Sequence, residues 1–265
     1  MRGNAVLIGI ALACWTLAAS AQPLSGREIA QRVYDRDDGR HVQQALEMIL
    51  VDRNGRTRRR QSVLIRKEFG DVDKTAIILR SPSDLRGTGF MVFDYHDQAR
   101  DDDQWIYLPA MRRERRVSAS KRGDNFLGTD FSYEDIKERT RLSLTDFDFS
   151  FVETKTVAGR DVHVIQALPV DGAVAKTLGY GKILATVDVD TWMYTHLTYF
   201  DVALNPLKET ELRDVVDIDG ILTATTIVCR NIKSGHSTTF RFSDVDYTTP
   251  VDDRRFTIAA LRRGA

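Results

Sequence analysis

The sequence predicts a mainly β protein built on one large antiparallel sheet, a sandwich or a barrel. Three observations predict it. Short apolar runs recur along most of the chain, separated by turn-forming pairs such as Asn54-Gly55, Ala158-Gly159, Asp219-Gly220 and Ser234-Gly235. Within the runs the side chains alternate, most clearly where Phe147, Phe149 and Phe151 interleave with Asp146, Asp148 and Ser150. Helical periodicity is confined to a few short stretches.

Taken in order, residues 25–36 read as a helix. Ser25 can cap it, Glu28 follows three residues later as in a capping box, and Ile29, Val33 and Tyr34 fall at helical spacing. Beyond Gly39 the period drops to two. Leu46, Met48 and Leu50 alternate with Glu47, Ile49 and Val51, and the Asn54-Gly55 turn leads into a return strand over 57–67. Further strands are expected at about 74–80, 89–95, 104–109, 112–119, 146–156, 161–169, 183–189, 192–201, 206–217, 221–232 and 237–247. Short helices are expected at Tyr133–Glu138 and around Ala173–Leu178. With no Pro/Ser/Gly linker, repeat or low-complexity tract, residues 22–265 read as a single domain.

The chain begins like an exported protein. Arg2, the apolar stretch Ala5–Leu17 and Ala19-Ser20-Ala21 spell a cleavable signal peptide over residues 1–21, with Gln22 as the mature N-terminus. That apolar stretch falls short of the ~20 residues a membrane span needs. Cys14 suggests a lipoprotein leader, but Leu12 stands one place late for a lipobox. The 38 basic and 38 acidic side chains balance, and cleavage removes only Arg2 among them. Such a chain is not built for electrostatic nucleic-acid binding. Cys229 is the one cysteine left after cleavage, so no intramolecular disulfide is expected. No later run reaches 18 apolar residues, and a soluble, monomeric periplasmic protein is expected.

The residues offer no recognisable catalytic constellation. The histidines His41, His96, His163, His196 and His236 lack metal-ligand spacing, no G-x-S-x-G elbow occurs, and Gly87-Thr88-Gly89 leads into a strand where a phosphate loop needs a helix. No metal, cofactor or catalytic residue is therefore expected. Asp94 and His96, two apart on a strand, are the nearest thing to an acid–base pair, and a surface pairing accounts for them. Two basic runs stand out, Arg56–Arg60 and Arg112–Arg116. On the second, Arg113, Arg115 and Val117 line one face of a strand, and Arg112, Glu114 and Arg116 the other. Arginines of this kind protect a sheet edge from aggregation. Beside Trp105 and Tyr107, Arg113, Arg115 and Arg116 would equally suit contact with phospholipid headgroups or an acidic partner.

Several blocks carry a resemblance. "DLRGTGFMVFDY" (84–95), "DDDQWIYLPAMRRERRVSAS" (101–120), "FLGTDFSYEDI" (126–136), "VDVDTWMYTHLTYFD" (187–201), "VVDIDGILTATTIVCRNIKSGHSTTFRFSDVDY" (215–247) and "DDRRFTIAAL" (252–261) occur in that order. Together they resemble the exported LolA-like proteins of outer-membrane lipoprotein sorting. The resemblance implies a strongly curved, incompletely closed antiparallel barrel with helices over its open mouth. It further implies a non-enzymatic carrier, whose apolar cavity shields lipid or lipoprotein acyl chains between envelope membranes. An RND-type inner-membrane transporter is the implied partner, with transient contact to a membrane surface.

Burying an acyl chain yields ~0.8 kcal/mol per CH₂, so such a cavity needs little polar chemistry. The lining is expected to come from Phe90, Val92, Trp105, Tyr107, Phe147, Phe149, Phe151, Tyr194 and Phe200, with Trp105 and Tyr107 packing inward and the neighbouring arginines outward. Two rival readings remain: a transporter adaptor with a filled barrel, and an envelope-lipid hydrolase using Asp94 and His96.

Overall fold

The computed structural model describes residues 24–97, 100–138 and 141–264. The expected leader, with Cys14, lies outside the described residues. Helix α1 (Gly26–Tyr34) is followed by strands β1 (His41–Val51), β2 (Thr57–Glu68), β3 (Val72–Ser81), β4 (Gly89–Tyr95), β5 (Asp103–Leu108) and β6 (Arg113–Arg116). A long crossing segment containing α2 (Tyr133–Glu138) leads to β7 (Phe147–Val157) and β8 (Arg160–Pro169). After α3 (Gly172–Leu178) come β9 (Lys182–Asp188), β10 (Tyr194–Phe200), β11 (Pro206–Ile218), β12 (Ile221–Asn231) and β13 (Ser237–Asp246), and the chain closes with α4 (Ile258–Arg263). Among the described residues no helix is long and apolar enough to cross a membrane.

All 13 strands form one sheet, in the order β6-β5-β4-β3-β2-β1-β13-β12-β11-β10-β9-β8-β7, and every pairing is antiparallel. β6 and β7 are its two edges, so the barrel is not closed. One apolar cluster nevertheless joins Phe90 of β4 to Phe147 of β7 across the whole order. The sheet must therefore curl round this inner face. Bulges assist the curl: the β1–β13 pairing slips between Gln43 and Ala45, opposite Asp244, and the β7–β8 pairing slips between Phe151 and Glu153. Asp244 adopts left-handed backbone (φ 50°), which Asp tolerates better than most side chains.

The edge-to-edge topology dictates the rest. Twelve inter-strand steps of ~4.8 Å separate β6 from β7 along the sheet. Residues 117–138 and 141–146 of this passage lie across the inner face, where Phe126, Phe131, Ile136 and Leu142 are buried. Helix α1 closes the β7–β8 side by burying Ile29, Ala30 and Val33. Its expected capping box is present, Ser25 and Glu28 bonding reciprocally. The outer face of β2–β4 is apolar too. Ile65, Ala76, Ile78 and Met91 are covered there by Val251, Phe256 and Leu261 of the C-terminal segment.

Two elements depart from the sequence reading. The strand expected over 112–119 ends at Arg116, where the crossing begins. Helix α4 was not expected at all. It has only six residues, capped by Thr257 at the N-terminus and Gly264 in left-handed conformation at the C-terminus.

Candidate functional site

The inner face is assembled from alternate residues. Leu46, Met48 and Leu50 of β1, Leu64 of β2, Ile77 and Leu79 of β3, and Phe90 and Val92 of β4 line one half. Leu197 and Tyr199 of β10, Leu212 of β11, Ile227 and Cys229 of β12 and Phe240 of β13 line the other. Residues 117–138 and 141–146 occupy the space between them as a plug. Phe131 stacks on Phe240 with ring centres 4.4 Å apart, and Phe126, Tyr133 and Phe90 form an aromatic trio at 5.1–5.7 Å.

Polar bonds fasten the plug to the sheet. Arg60, on the inner face of β2, donates to the Leu127 carbonyl at 2.6 Å. The Thr238 hydroxyl donates to Asp130 Oδ2 at 2.7 Å and accepts from the Asp130 amide. Lys208, only 4 % exposed, reaches Asp135 Oδ2 at 2.5 Å and the Asp130 carbonyl at 3.2 Å. Burial opposes the Lys208 charge, but the Asp135 carboxylate outweighs it and holds the lysine pKa well above its ordinary value. Burial, reinforced by Asp135, pushes the Tyr180 phenol up, so it stays protonated and donates to Asp135 at 3.1 Å. The "GTDFSYED" block (128–135) supplies Asp130 and Asp135 to these bonds and Phe131 and Tyr133 to the aromatic contacts. It is a fastening motif, and its Ser132–Asp135 pair also caps α2 by mutual hydrogen bonds.

A second ionic cluster sits on the outward side of α2. Lys137 Nζ lies 2.7 Å from Asp102, 2.9 Å from both Glu134 and Glu138, and 4.0 Å from Asp94. Arg122 bridges Glu134 and Asp146 at 2.8 and 2.6 Å. Burial works against the Glu134 carboxylate, yet Lys137 and Arg122 overcome it and hold its pKa below the usual range. At Glu138 burial wins over Lys137, and with the charges of Glu134 and Asp94 the carboxyl is pushed up to about 7.

Two spaces remain. An apolar pocket of about 130 Å³ lies between the plug side chains Phe131 and Ile136 and the sheet residues Leu46, Leu64, Ile77, Ala224, Ile227 and Phe240. That is close to the ~150 Å³ cavity that accepts a single benzene. A polar cleft of about 740 Å³ runs beside it, lined by the end of α1, the rims of β3 and β4, and the Lys137 cluster. Arg36, Asp38 and Arg66 border both spaces. Arg66 donates to the Asp38 carbonyl at 2.6 Å, and Arg36 to the Leu222 carbonyl at 2.9 Å. The combination has the chemistry of an amphiphile site: a small apolar recess opening onto a charged vestibule.

The residues expected to line a cavity are distributed differently. Phe90, Val92, Phe147 and Tyr194 are buried on the inner face, with Phe149 partly buried against them, but plug and α1 fill the space in front. Phe151 comes off the same strand further out and is 39 % exposed. Trp105 and Tyr107 were expected to pack inward; the register instead sets them opposite Met91 and Gly89, on the outer face. It is Ile106, opposite Phe90, that turns inward. Phe200 likewise faces out, since Tyr199 points in, and it lies under the Lys182 ammonium at 4.1 Å. None of these residues borders the 130 Å³ pocket.

Of the arginines, Arg113 and Arg115 are exposed, while Arg116 pairs with Asp103. Asp94 and His96 take different partners: His96 lies 3.6 Å from Asp73, and Asp94 faces Lys137. Sequence reading missed Arg60, Lys208, Asp130, Asp135 and Thr238. The signal available was a lysine and a threonine on inward positions of strands that otherwise bury apolar side chains.

An open antiparallel half-barrel whose crossing segment lies over its inner face is the LolA class of architecture. Over 89 % of this chain and 99 % of theirs, the coordinates match a LolA superfamily protein from Nitrosomonas europaea at TM-score 0.66 and 18 % identity, which shows the shared fold. A Vibrio parahaemolyticus domain named for outer membrane lipoprotein sorting matches at TM-score 0.81 and 29 % identity, covering 90 % of this chain and 98 % of its own. A DUF1329 family protein from Desulfovibrio piger matches at TM-score 0.81 and 26 % identity, covering 89 % and 97 %. A family model described as an uncharacterized protein matches residues 71–263, more than half of the chain, and the chain belongs to that family. No curated protein matches the sequence.

Proposed function

We propose that this protein carries lipid or lipoprotein acyl chains across the envelope, as one unit spanning residues 22–265 exported by its leader. The observation that carries this reading is the contrast between a continuous apolar inner face and a plug tied to it by polar bonds. As it stands, the 130 Å³ pocket admits the end of a chain. Withdrawal of the plug would extend that pocket along Phe90, Val92, Phe147, Phe149 and Tyr194. Each methylene then buried contributes ~0.8 kcal/mol, so a chain of ten or more offsets several polar bonds of ~1 kcal/mol each while taking over the inner-face contacts that the plug gives up. The charged vestibule is suited to hold the headgroup. The sorting function for which the Vibrio domain is named fits the same chemistry. An RND-type transporter as the site of exchange is carried by the family resemblance.

The filled inner face also suits the adaptor reading, and one measurement separates the two. Native mass spectrometry is run on mature protein from a periplasmic fraction prepared without detergent, with extraction of whatever is bound. A stoichiometric lipid adduct, lost in Ala224→Phe because the new ring occupies the pocket, is the expected result. Apo protein that also refuses added phospholipid and acyl peptide would overturn the carrier reading.

A further inference from the structure

The antiparallel order brings several hairpin turns to one border of the sheet: β1–β2, β3–β4, β5–β6 and β12–β13. They come together in two pairs. A side chain on Gly235 would lie 3.5 Å from Arg53, and one on Gly87 3.3 Å from Pro109. The turns are strongly cationic. Arg53, Arg58, Arg86, Arg112, Arg113 and Lys233, in these turns or the first residues of the strands they open, are all exposed, against Asp52 and Asp84 within the turns and Asp201 of the neighbouring β10–β11 turn, which faces Lys233. Asp52 is already committed, accepting from the amides of Asn54 and Arg56 and from the Arg56 guanidinium at 2.8–3.0 Å. Between the β1–β2 and β12–β13 turns lies a hollow of about 620 Å³, lined mainly by Arg53, Arg56, Arg58 and His236.

Edge protection does not explain this. It accounts for arginines on the edge strand β6, but β1 and β2 lie in the middle of the sheet, where no edge needs guarding. Nor does overall charge, since the chain is neutral and the cations are gathered here by position. Apolar side chains stand among them at turn tips: Met111 is 61 % exposed and Ile232 49 %. Beside Met111, Arg112 holds a left-handed backbone (φ 48°) where Gly or Asn would be easier, so the turn keeps an arginine at a conformational cost. Cations around protruding apolar tips, with no exposed aromatic ring to stack a base, match a lipid–water interface better than a nucleic acid.

We propose that this border is a docking surface for an anionic membrane leaflet, its arginines binding phosphodiester headgroups while Met111 and Ile232 enter the interface. The purpose rests on the carrier reading; the chemistry does not. The test is sedimentation of the full mature protein with vesicles of phosphatidylcholine, with and without phosphatidylglycerol.

Binding is expected only to the anionic vesicles, and salt should weaken it. Neutralising one arginine should reduce partitioning about fivefold, and Arg53→Gln, Arg58→Gln and Arg112→Gln together about a hundredfold. Met111→Ser, which removes the apolar tip without changing charge, should weaken binding further without altering the salt dependence. Equal binding to both vesicle types, a triple variant that binds like the parent, or loss of binding to millimolar glycerol phosphate would each overturn the proposal, the last by revealing a site for soluble phosphate. The two readings fail separately: a triple variant that keeps its lipid adduct but leaves the vesicles is the expected result, whereas a protein that docks without ever carrying lipid sinks the carrier reading alone.

Discussion

Replacing Lys208 by Met keeps the stem and removes the charge, leaving Asp135 with a side chain only 11 % exposed. Breaking a buried ion pair from one side costs about 3–5 kcal/mol, because the surviving charge is stranded. Asp135 keeps two donors, the Ser132 amide and the Tyr180 hydroxyl, so the lower figure applies. A loss of about 3 kcal/mol should lower the melting midpoint by roughly 6–12 °C in a chain of this size. Adding Asp135→Asn removes the stranded charge while preserving the hydrogen bonds, and should recover most of the loss. Urea unfolding of the two single variants and the double completes the cycle. Amide exchange supplies a local readout, since Lys208→Met should speed exchange across 117–138 more than in β1 or β13. A Lys208→Met cost under about 1 kcal/mol, or a double variant that loses the sum of the singles, would refute the view that this pair fastens the plug.

Other expectations follow from the same geometry. With its folded pKa near 7 against an ordinary 4.5, Glu138 is protonated in both states below about pH 4.5 and ionises first in the unfolded chain above it. Its contribution is therefore full in acid and is lost as pH rises to 7. Glu138→Gln should abolish that loss, gaining on the order of 3 kcal/mol over wild type between pH 4.5 and pH 8 in urea titrations; a pH-independent difference would exclude the raised pKa. Gly26→Ala would place a methyl 2.3 Å from the Ser150 carbonyl carbon, against backbone that cannot give way. α1 must then lift from β7, at a cost of ~1–3 kcal/mol visible as faster proteolysis near the N-terminus. Trp105→Ala should lower the melting midpoint, by the loss of contacts with Phe93, yet leave lipid uptake unchanged, because Trp105 lies on the outer face. Reduced uptake in a folded Trp105→Ala protein would contradict the assignment of faces.

Much of the frame was legible in the chain because hairpins are local. Asn54-Gly55 sets the β1–β2 register, and Ser25 with Glu28 starts α1, each within a few residues. The faces were harder. Alternation says that Phe90 and Met91 point opposite ways, but β3 and β4 are apolar on both sides because the C-terminal segment covers the outer one. Nothing in "QWIYL" says which side faces in, and the inward placement expected for Trp105 and Tyr107 was reversed by the register. The plug was less legible still. Asp135 meets Lys208 across 73 residues, and Asp130 meets Thr238 across 108. Periodicity carries no information about pairs at that distance. A lysine within "PLKETEL" reads as an exposed position on an alternating strand until the fold shows what it faces.

The choice of polar fastenings over apolar ones bears on the carrier reading. Apolar groups of equal volume would often hold a plug as well as a buried ion pair does, or better. What the ion pairs add is dependence on geometry: 2.5–3.0 Å contacts vanish with a small displacement, whereas apolar packing fades gradually. Once displaced, the charges of Lys137, Glu134 and Glu138 have somewhere to go, since the 740 Å³ vestibule lies alongside them and is already polar. A plug held by apolar contacts alone would expose still more apolar surface each time it opened, at ~25 cal/mol for every Å² uncovered. Polar fastening therefore makes opening abrupt, while the apolar contacts of Phe126, Phe131 and Ile136 must still be replaced, on the inner face by the incoming chain. On this argument, swapping Lys208 and Asp135 for a packed Met–Leu pair should preserve or raise stability yet slow lipid uptake. Uptake at the wild-type rate in such a variant would show that the plug's polar bonds play no part in opening.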